Sequence, residues 1–110
     1  MSEQKYLGKI KSAEYGTVKD YPFMMGIQLQ FSFDGGGVGD GGKFTVNQSP
    51  NYKWESEEKK FSIILNQQQE LFKTLSDAKV NYVSELKNKP IEIVIKDNMF
   101  DSFRILTEVL

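Results

Sequence analysis

Histidine and cysteine are both missing from this 110-residue chain. Their absence removes the commonest general base, the thiol nucleophile and most transition-metal ligands. It also excludes a disulfide framework, which fits a reducing compartment. Arginine is nearly missing too: thirteen of the fourteen basic residues are Lys, and Arg104 stands alone. Proteins that read phosphates bidentately usually carry more guanidinium than this. Lys and Arg (14) nearly balance Asp and Glu (15), so no global field draws in nucleic acid or an anionic membrane. No apolar run approaches the roughly 20 residues needed to span a bilayer. The opening Met1-Ser2-Glu3-Gln4-Lys5 has no apolar core behind it, so no signal peptide is expected. These exclusions point to one globular domain over 1–110, placed in the cytoplasm, with no membrane partner, no metal and no cofactor.

What the chain has in excess is local. Six glycines fall within Gly35-Gly36-Gly37-Val38-Gly39-Asp40-Gly41-Gly42. Glycine is costly to order, so such a run marks backbone that reaches positive φ or approaches something closely. Aromatic content is also high, with eight Phe and five Tyr to build a core.

Hydrophobic periodicity supplies the elements. Tyr6 to Tyr15 alternates in part and reads as a first strand. Met24 to Phe33 alternates more clearly, with Met25, Ile27, Leu29, Phe31 and Phe33 on one face. Lys43-Phe44-Thr45-Val46 reads as a short returning strand, which makes the glycine run a long mobile hairpin tip. A helix is predicted from about Ser56, a good N-cap, to Ser76, with Glu57 and Glu58 suiting the helix dipole. Phe61, Ile64, Leu65, Leu71, Phe72 and Leu75 form its apolar stripe, Gln68 lands inside that stripe, and Ile63 lands nearly opposite. Val80, Val83 and Leu86 suggest a further helical turn. Ile91 to Lys96 and Phe103 to Leu110 complete the pattern as strands. The order β-β-β-α-β-β predicts an α+β fold: an antiparallel sheet of about five strands with one long helix packed on it.

The motifs admit sharp and plain readings. The glycine run reaches Gly-Gly-Lys and then breaks at Phe44, so the phosphate-binding Gly-x-x-x-x-Gly-Lys-Ser/Thr pattern is incomplete. A calcium repeat of the Gly-Gly-x-Gly-Asp type needs stacked copies. The run is then a ligand-free tip or a loop that closes over a ligand or partner. Arg104 either pairs with Glu92 or Glu108 or holds an anion bidentately beside Phe103. Trp54 either staples the helix start to the core or stands as a stacking platform. Gln68 needs a partner if buried: sheet backbone, a ligand, or a symmetric contact across an oligomer axis. Ile63 on the polar face hints at a second surface of the helix that meets another subunit. Asp20, Asp34, Asp40, Asp97 and Asp101 lie in predicted turns and read as local hydrogen-bonding residues. No carboxylate pair has a spacing that argues for acid–base catalysis.

The C-terminal third carries a resemblance. Asn88-Lys89-Pro90-Ile91-Glu92-Ile93, Asp97-Asn98-Met99 and Phe103-Arg104-Ile105-Leu106-Thr107-Glu108-Val109-Leu110 resemble a widespread group of small phage and prophage proteins. Members of that group end in a near-identical Arg-Ile-Leu-Thr-Glu-Val-Leu segment. Gly35–Gly42, Trp54-Glu55-Ser56-Glu57 and Ala78-Lys79-Val80 match its glycine-rich loop, helix start and Ala-Lys-Val segment. Two positions depart: Phe103 stands where the group often has Trp, and Val38 where it often has an aromatic. The resemblance implies a phage accessory protein acting in the bacterial host cytoplasm.

Together these readings favour a non-catalytic anti-defence binding protein that sequesters a nucleotide-derived signal or blocks a host defence protein, working as a homo-oligomer. The residues expected to bind a small anionic ligand are Gly37, Gly39, Asp40, Lys43, Trp54, Phe103 and Arg104. In that reading the loop is a lid, Trp54 or Phe103 a stacking face, and Lys43 and Arg104 anion contacts. Ile63 and Gln68 are the expected interface residues. The alternative is a single-stranded nucleic-acid-binding or replication accessory protein with Tyr6, Tyr15, Phe31 and Phe44 as stacking positions, which the near-neutral charge disfavours. An enzyme or a virion component are further, weaker readings.

Overall fold

A computed structural model describes residues 3–110. Met1 and Ser2, which begin the segment read as lacking a signal peptide, lie outside the described residues. The strands are β1 (Glu3–Val18), β2 (Tyr21–Phe33), β3 (Gly36–Gly39), β4 (Thr45–Asn47), β5 (Pro90–Lys96) and β6 (Met99–Ile105). One long helix, α1 (Glu57–Ala78), separates β4 from β5, and single 3₁₀ turns cover Val83–Leu86 and Thr107–Val109. All pairings are antiparallel, in the order β3-β2-β1-β5-β6, with β4 beside β3 on the same edge of β2. The fold is α+β, an antiparallel sheet with a helix on one face.

Alternation builds the core. Ile27, Leu29 and Phe31 of β2, Ile10 of β1, Ile91 and Ile93 of β5 and Ile105 of β6 share one face of the sheet and are buried. Leu86 and Ala78 close over them from the helical segments. The opposite face is polar, with Lys9 paired to Ser32, Ser12 to Gln30, Glu14 to Gln28 and Glu92 to Arg104. The sheet curls strongly. Phe31 in its centre stacks on Phe100 at 5.3 Å and meets Phe103 at 5.0 Å, and Phe44 lies 5.9 Å from both. These four rings bring the two sheet edges, β4 and β6, toward each other without pairing them.

Three expectations need correction. The glycine run is not a mobile tip. Gly36–Gly39 is itself an edge strand, with Gly37 opposite Ser32 and Gly39 opposite Gln30, so the hairpin turns tightly at Asp34-Gly35. Asp40 explains how the run is fixed. Its carboxylate, 7% exposed, accepts from the Leu29 amide at 2.8 Å and the Gly42 amide at 2.9 Å, while its own amide donates to the Leu29 carbonyl. The side chain thus continues the ladder where β3 stops and seeds the turn through Gly41 and Gly42, at φ 66° and 79°, that leads into β4.

The last strand also ends earlier than expected. β6 begins at Met99 after a turn at Asp97 and Asn98, both at positive φ (52° and 66°), a hairpin geometry those residue types tolerate. The chain leaves the sheet after Ile105.

The helix is rotated relative to its expected stripe. Ser56 caps it, its hydroxyl accepting from the Lys59 amide at 3.0 Å. The face that meets the sheet holds Ile63, Gln67, Leu71, Thr74 and Ala78, which are half-buried or buried. Phe61, Leu65, Gln68 and Phe72, roughly 130° around the helix, face solvent.

Replacing Asp40 by Asn puts an amide N–H₂ where one of two donors now finds an acceptor. The variant is expected to lose about 1–3 kcal/mol in urea denaturation, and an unchanged midpoint would show that the carboxylate does not hold β3 and β4 in place.

Candidate functional site

The curl of the sheet leaves a cleft. Its sides are the facing edges of β4 and β6, its floor is the apolar face of β2, and its roof is α1. The cavity measures about 430 Å³, within the roughly 300–1,000 Å³ of small-molecule sites. Ile27, Leu29, Phe44, Phe103, Ile105 and Leu71 give it an apolar lining. Asn66, Thr74, Ser102 and Tyr15 bring amide and hydroxyl groups to the same cavity. Charges of both signs surround it: Lys43 and Lys73 beside Glu70, Asp77 and Asp101.

The roof is tied to the floor by one side chain. The Gln67 amide nitrogen donates to the Met25 carbonyl at 2.9 Å and the Phe44 carbonyl at 3.0 Å. Those oxygens belong to β2 and to the turn entering β4. The contact demands glycine at position 26, because a Cβ there would run into the Phe44 carbonyl oxygen and the Gln67 amide. The expected stripe pointed to Gln68 as the amide with a structural task. The neighbour one residue earlier has it, and Gln68 is exposed.

The seven expected ligand contacts do not form one site. Lys43 and Phe103 line the cleft, and so does Ile63, which turns inward and is half-buried. The Lys43 ammonium donates to the Asp101 carbonyl and lies 5.5 Å from the Phe100 ring centre, bridging the mouth between the two edges. Gly37 and Gly39 border a separate shallow depression with Lys11, Gln30 and Ser32, so they provide no lid for the cleft. Asp40 spends both carboxylate oxygens on backbone amides. Trp54 stands outside the cleft, edge-on to Tyr52 at 4.9 Å.

Arg104 is an ion-pair residue. Strand alternation sends its side chain to the face opposite Phe103 and Ile105. Its Nε donates to Glu92 at 3.1 Å, and its two terminal nitrogens donate to the Glu108 carboxylate at 3.2 and 3.1 Å. Both partners named from the sequence are engaged at once. The bidentate contact holds the Glu108 carboxyl below its ordinary range and raises the guanidinium further.

The proposed stacking platform for single strands is not open. Phe31 is buried, and Tyr6 stacks on Phe33 at 4.5 Å. Tyr15 and Phe44 face the cleft. What reasoning from the chain alone missed is the cleft and Gln67. Gly26 was their only local signal, a glycine interrupting an otherwise strong strand.

No group of three or more acidic, histidine or cysteine side chains among the described residues is placed to hold a metal ion. No helix among them is long and apolar enough to cross a membrane. No protein-family model, curated protein or solved structure matches the chain significantly.

Replacing Gln67 by Met leaves two backbone carbonyls without their donor. The expected loss is about 1–2 kcal/mol, with α1 amides losing hydrogen-exchange protection first; uniform loss across the sheet would contradict the roof-pinning role. For Glu108 the sign is that of a depressed carboxylate: its contribution is present at neutral pH and is lost as pH falls through its lowered folded value. In an NMR titration its midpoint should rise in Arg104→Met, and an unmoved midpoint would remove Arg104 as the cause.

Proposed function

We propose that this chain is a phage-type accessory protein that captures a small amphipathic ligand in the cleft beneath α1 without transforming it, in the first instance a nucleotide-derived signal. The cleft carries the proposal: an apolar cavity of suitable size with aromatic, amide, hydroxyl and ammonium groups converging on it. Phe44 and Phe103 offer ring surface to a planar base, and stacking of that kind is worth about 1–3 kcal/mol. Asn66, Thr74 and Ser102 supply donors and acceptors of the type that read a base edge. Lys43, already braced by Asp101 and Phe100, is a cation whose ordering cost is met before a ligand arrives.

The charges narrow the ligand. Glu70, Asp77 and Asp101 around the same cavity disfavour a polyphosphate. Lys73 is paired with Asp77 at 2.8 Å. A nucleoside, or a ligand with one anionic group near Lys43, fits this balance better than a polyanion. A chain without imidazole or thiol supports capture over turnover. The resemblance of the C-terminal segment to phage and prophage proteins supports a setting in the bacterial host, where removing a defence signal is useful to a phage.

Native mass spectrometry against a panel of nucleosides, mononucleotides and cyclic nucleotides tests the reading. The wild type should gain one ligand mass per chain. Thr74→Trp, which fills the cleft from the roof, should lose it with the fold intact by circular dichroism. A wild type that takes up nothing from the panel, or a Thr74→Trp variant that binds equally well, would sink the proposal.

A further inference from the structure

The helix roof has an outer face that nothing in the chain covers. Phe61 is 67%, Leu65 56% and Phe72 73% exposed, with Gln68 exposed among them. With Leu75 these positions are spaced four, three, four and three residues apart. That is the a/d spacing of a helix that packs against another helix, sustained for two heptads. An ordinary half-buried helix turns such a stripe toward its own core. Here the core-facing side is a different one, held by Gln67, and the seam is left over.

We propose that this seam is the contact between two copies of the chain, formed by antiparallel pairing of α1 with its counterpart. Three observations favour a second copy over other occupants. First, the strip is free of charge from Phe61 through Ser76: its borders are Ser62, Gln69 and Ser76 on one side and Ile64 and Leu71 on the other. An uncharged apolar strip complements itself, whereas a charged one repels its own copy. Second, Phe61 and Phe72 share a midpoint with Leu65 and Gln68. An antiparallel partner therefore sets Phe61 against the partner's Phe72, and Leu65 against the partner's Gln68. The opposed helix dipoles favour the same arrangement. Third, the area suffices. At those exposures the three large side chains present on the order of 350 Å² of apolar surface per copy. Doubled, and extended by Ile64, Gln69, Leu75 and Ser76, the contact passes the roughly 1,000 Å² of a specific interface.

A membrane surface fits less well. The helix carries Lys59, Lys60 and Lys73 against Glu57, Glu58, Glu70 and Asp77, without the basic flanks of an interfacial helix. Gln68 has the role of a polar seam residue, giving up some stability to select register. The interface lies on the outside of α1 and the cleft on its inside, so the pairing stands independently of the ligand reading. It also keeps the sequence-based expectation that Gln68 sits near an oligomer axis, and it replaces Ile63 by Phe61, Leu65 and Phe72.

Sedimentation velocity on the full chain over a concentration series is the test. The wild type should reach twice its 12.6 kDa monomer mass. Phe72→Glu and Leu65→Glu should each raise the dimer dissociation constant at least about 30-fold. Both change exposed positions, so the circular dichroism spectrum should stay the same. Because the chain has no cysteine, Gln68→Cys should oxidise to a covalent dimer, and Glu14→Cys on the solvent face of the sheet should not. A wild type that stays monomeric up to near-millimolar concentration would overturn the proposal. A dimer that survives both Glu variants, or a Gln68→Cys chain that does not cross-link, would do the same by placing the contact elsewhere.

Discussion

The Gln67 side chain is the contact on which the arrangement of this protein turns. One amide nitrogen reaches two backbone carbonyls, on Met25 and Phe44, that the strand ladders leave free for it. It fixes the height of α1 above the sheet and its rotation about its own axis. With that rotation set, Ile63, Leu71 and Thr74 must face the cleft, and Phe61, Leu65 and Phe72 must face outward. A hydrophobic stripe alone would roll the helix the other way. The direct hydrogen bonds, and the bare Gly26 backbone that lets them form, oppose that roll.

Asp40 does a related job at the edge of the sheet. A run of six glycines in eight residues has little side-chain packing to order it. Pairing with β2 and a buried carboxylate that caps two backbone amides supply the order instead. The aromatic cluster of Phe31, Phe44, Phe100 and Phe103 then bends the sheet until its two edges face each other. The cleft is the space left when edges approach without pairing. Its two inner surfaces and the outer face of α1 are thus consequences of the same docking geometry.

The charges follow a simpler logic. Arg104 is spent on Glu92 and Glu108, tying the last 3₁₀ turn to the polar face of the sheet. This explains how a lone guanidinium can sit in an otherwise lysine-based chain without marking a binding site: it bridges two carboxylates in the fork geometry that Lys cannot reproduce. Lys43 is different, because it spans the mouth of the cleft and is held by a carbonyl and a ring rather than by a carboxylate.

Much of the fold was legible in the residues. Period-two alternation in Met24 to Phe33, the Ser56 cap and Pro90 each mark an element that the structure contains at that place, because they act through local backbone geometry. The α+β class followed from their order. The glycine strand was illegible, because its order comes from a partner strand and a buried carboxylate, and composition alone suggests a loose tip. The cleft was illegible because Lys43, Phe103, Ile63 and Thr74 are far apart in the chain and meet only once the sheet has curled. The helix stripe shows the division most clearly. The sequence by itself determined that α1 has an apolar seam at helical spacing. Only the tertiary structure decided that the seam faces away from the core, since that depended on two hydrogen bonds from Gln67 across the gap left by Gly26.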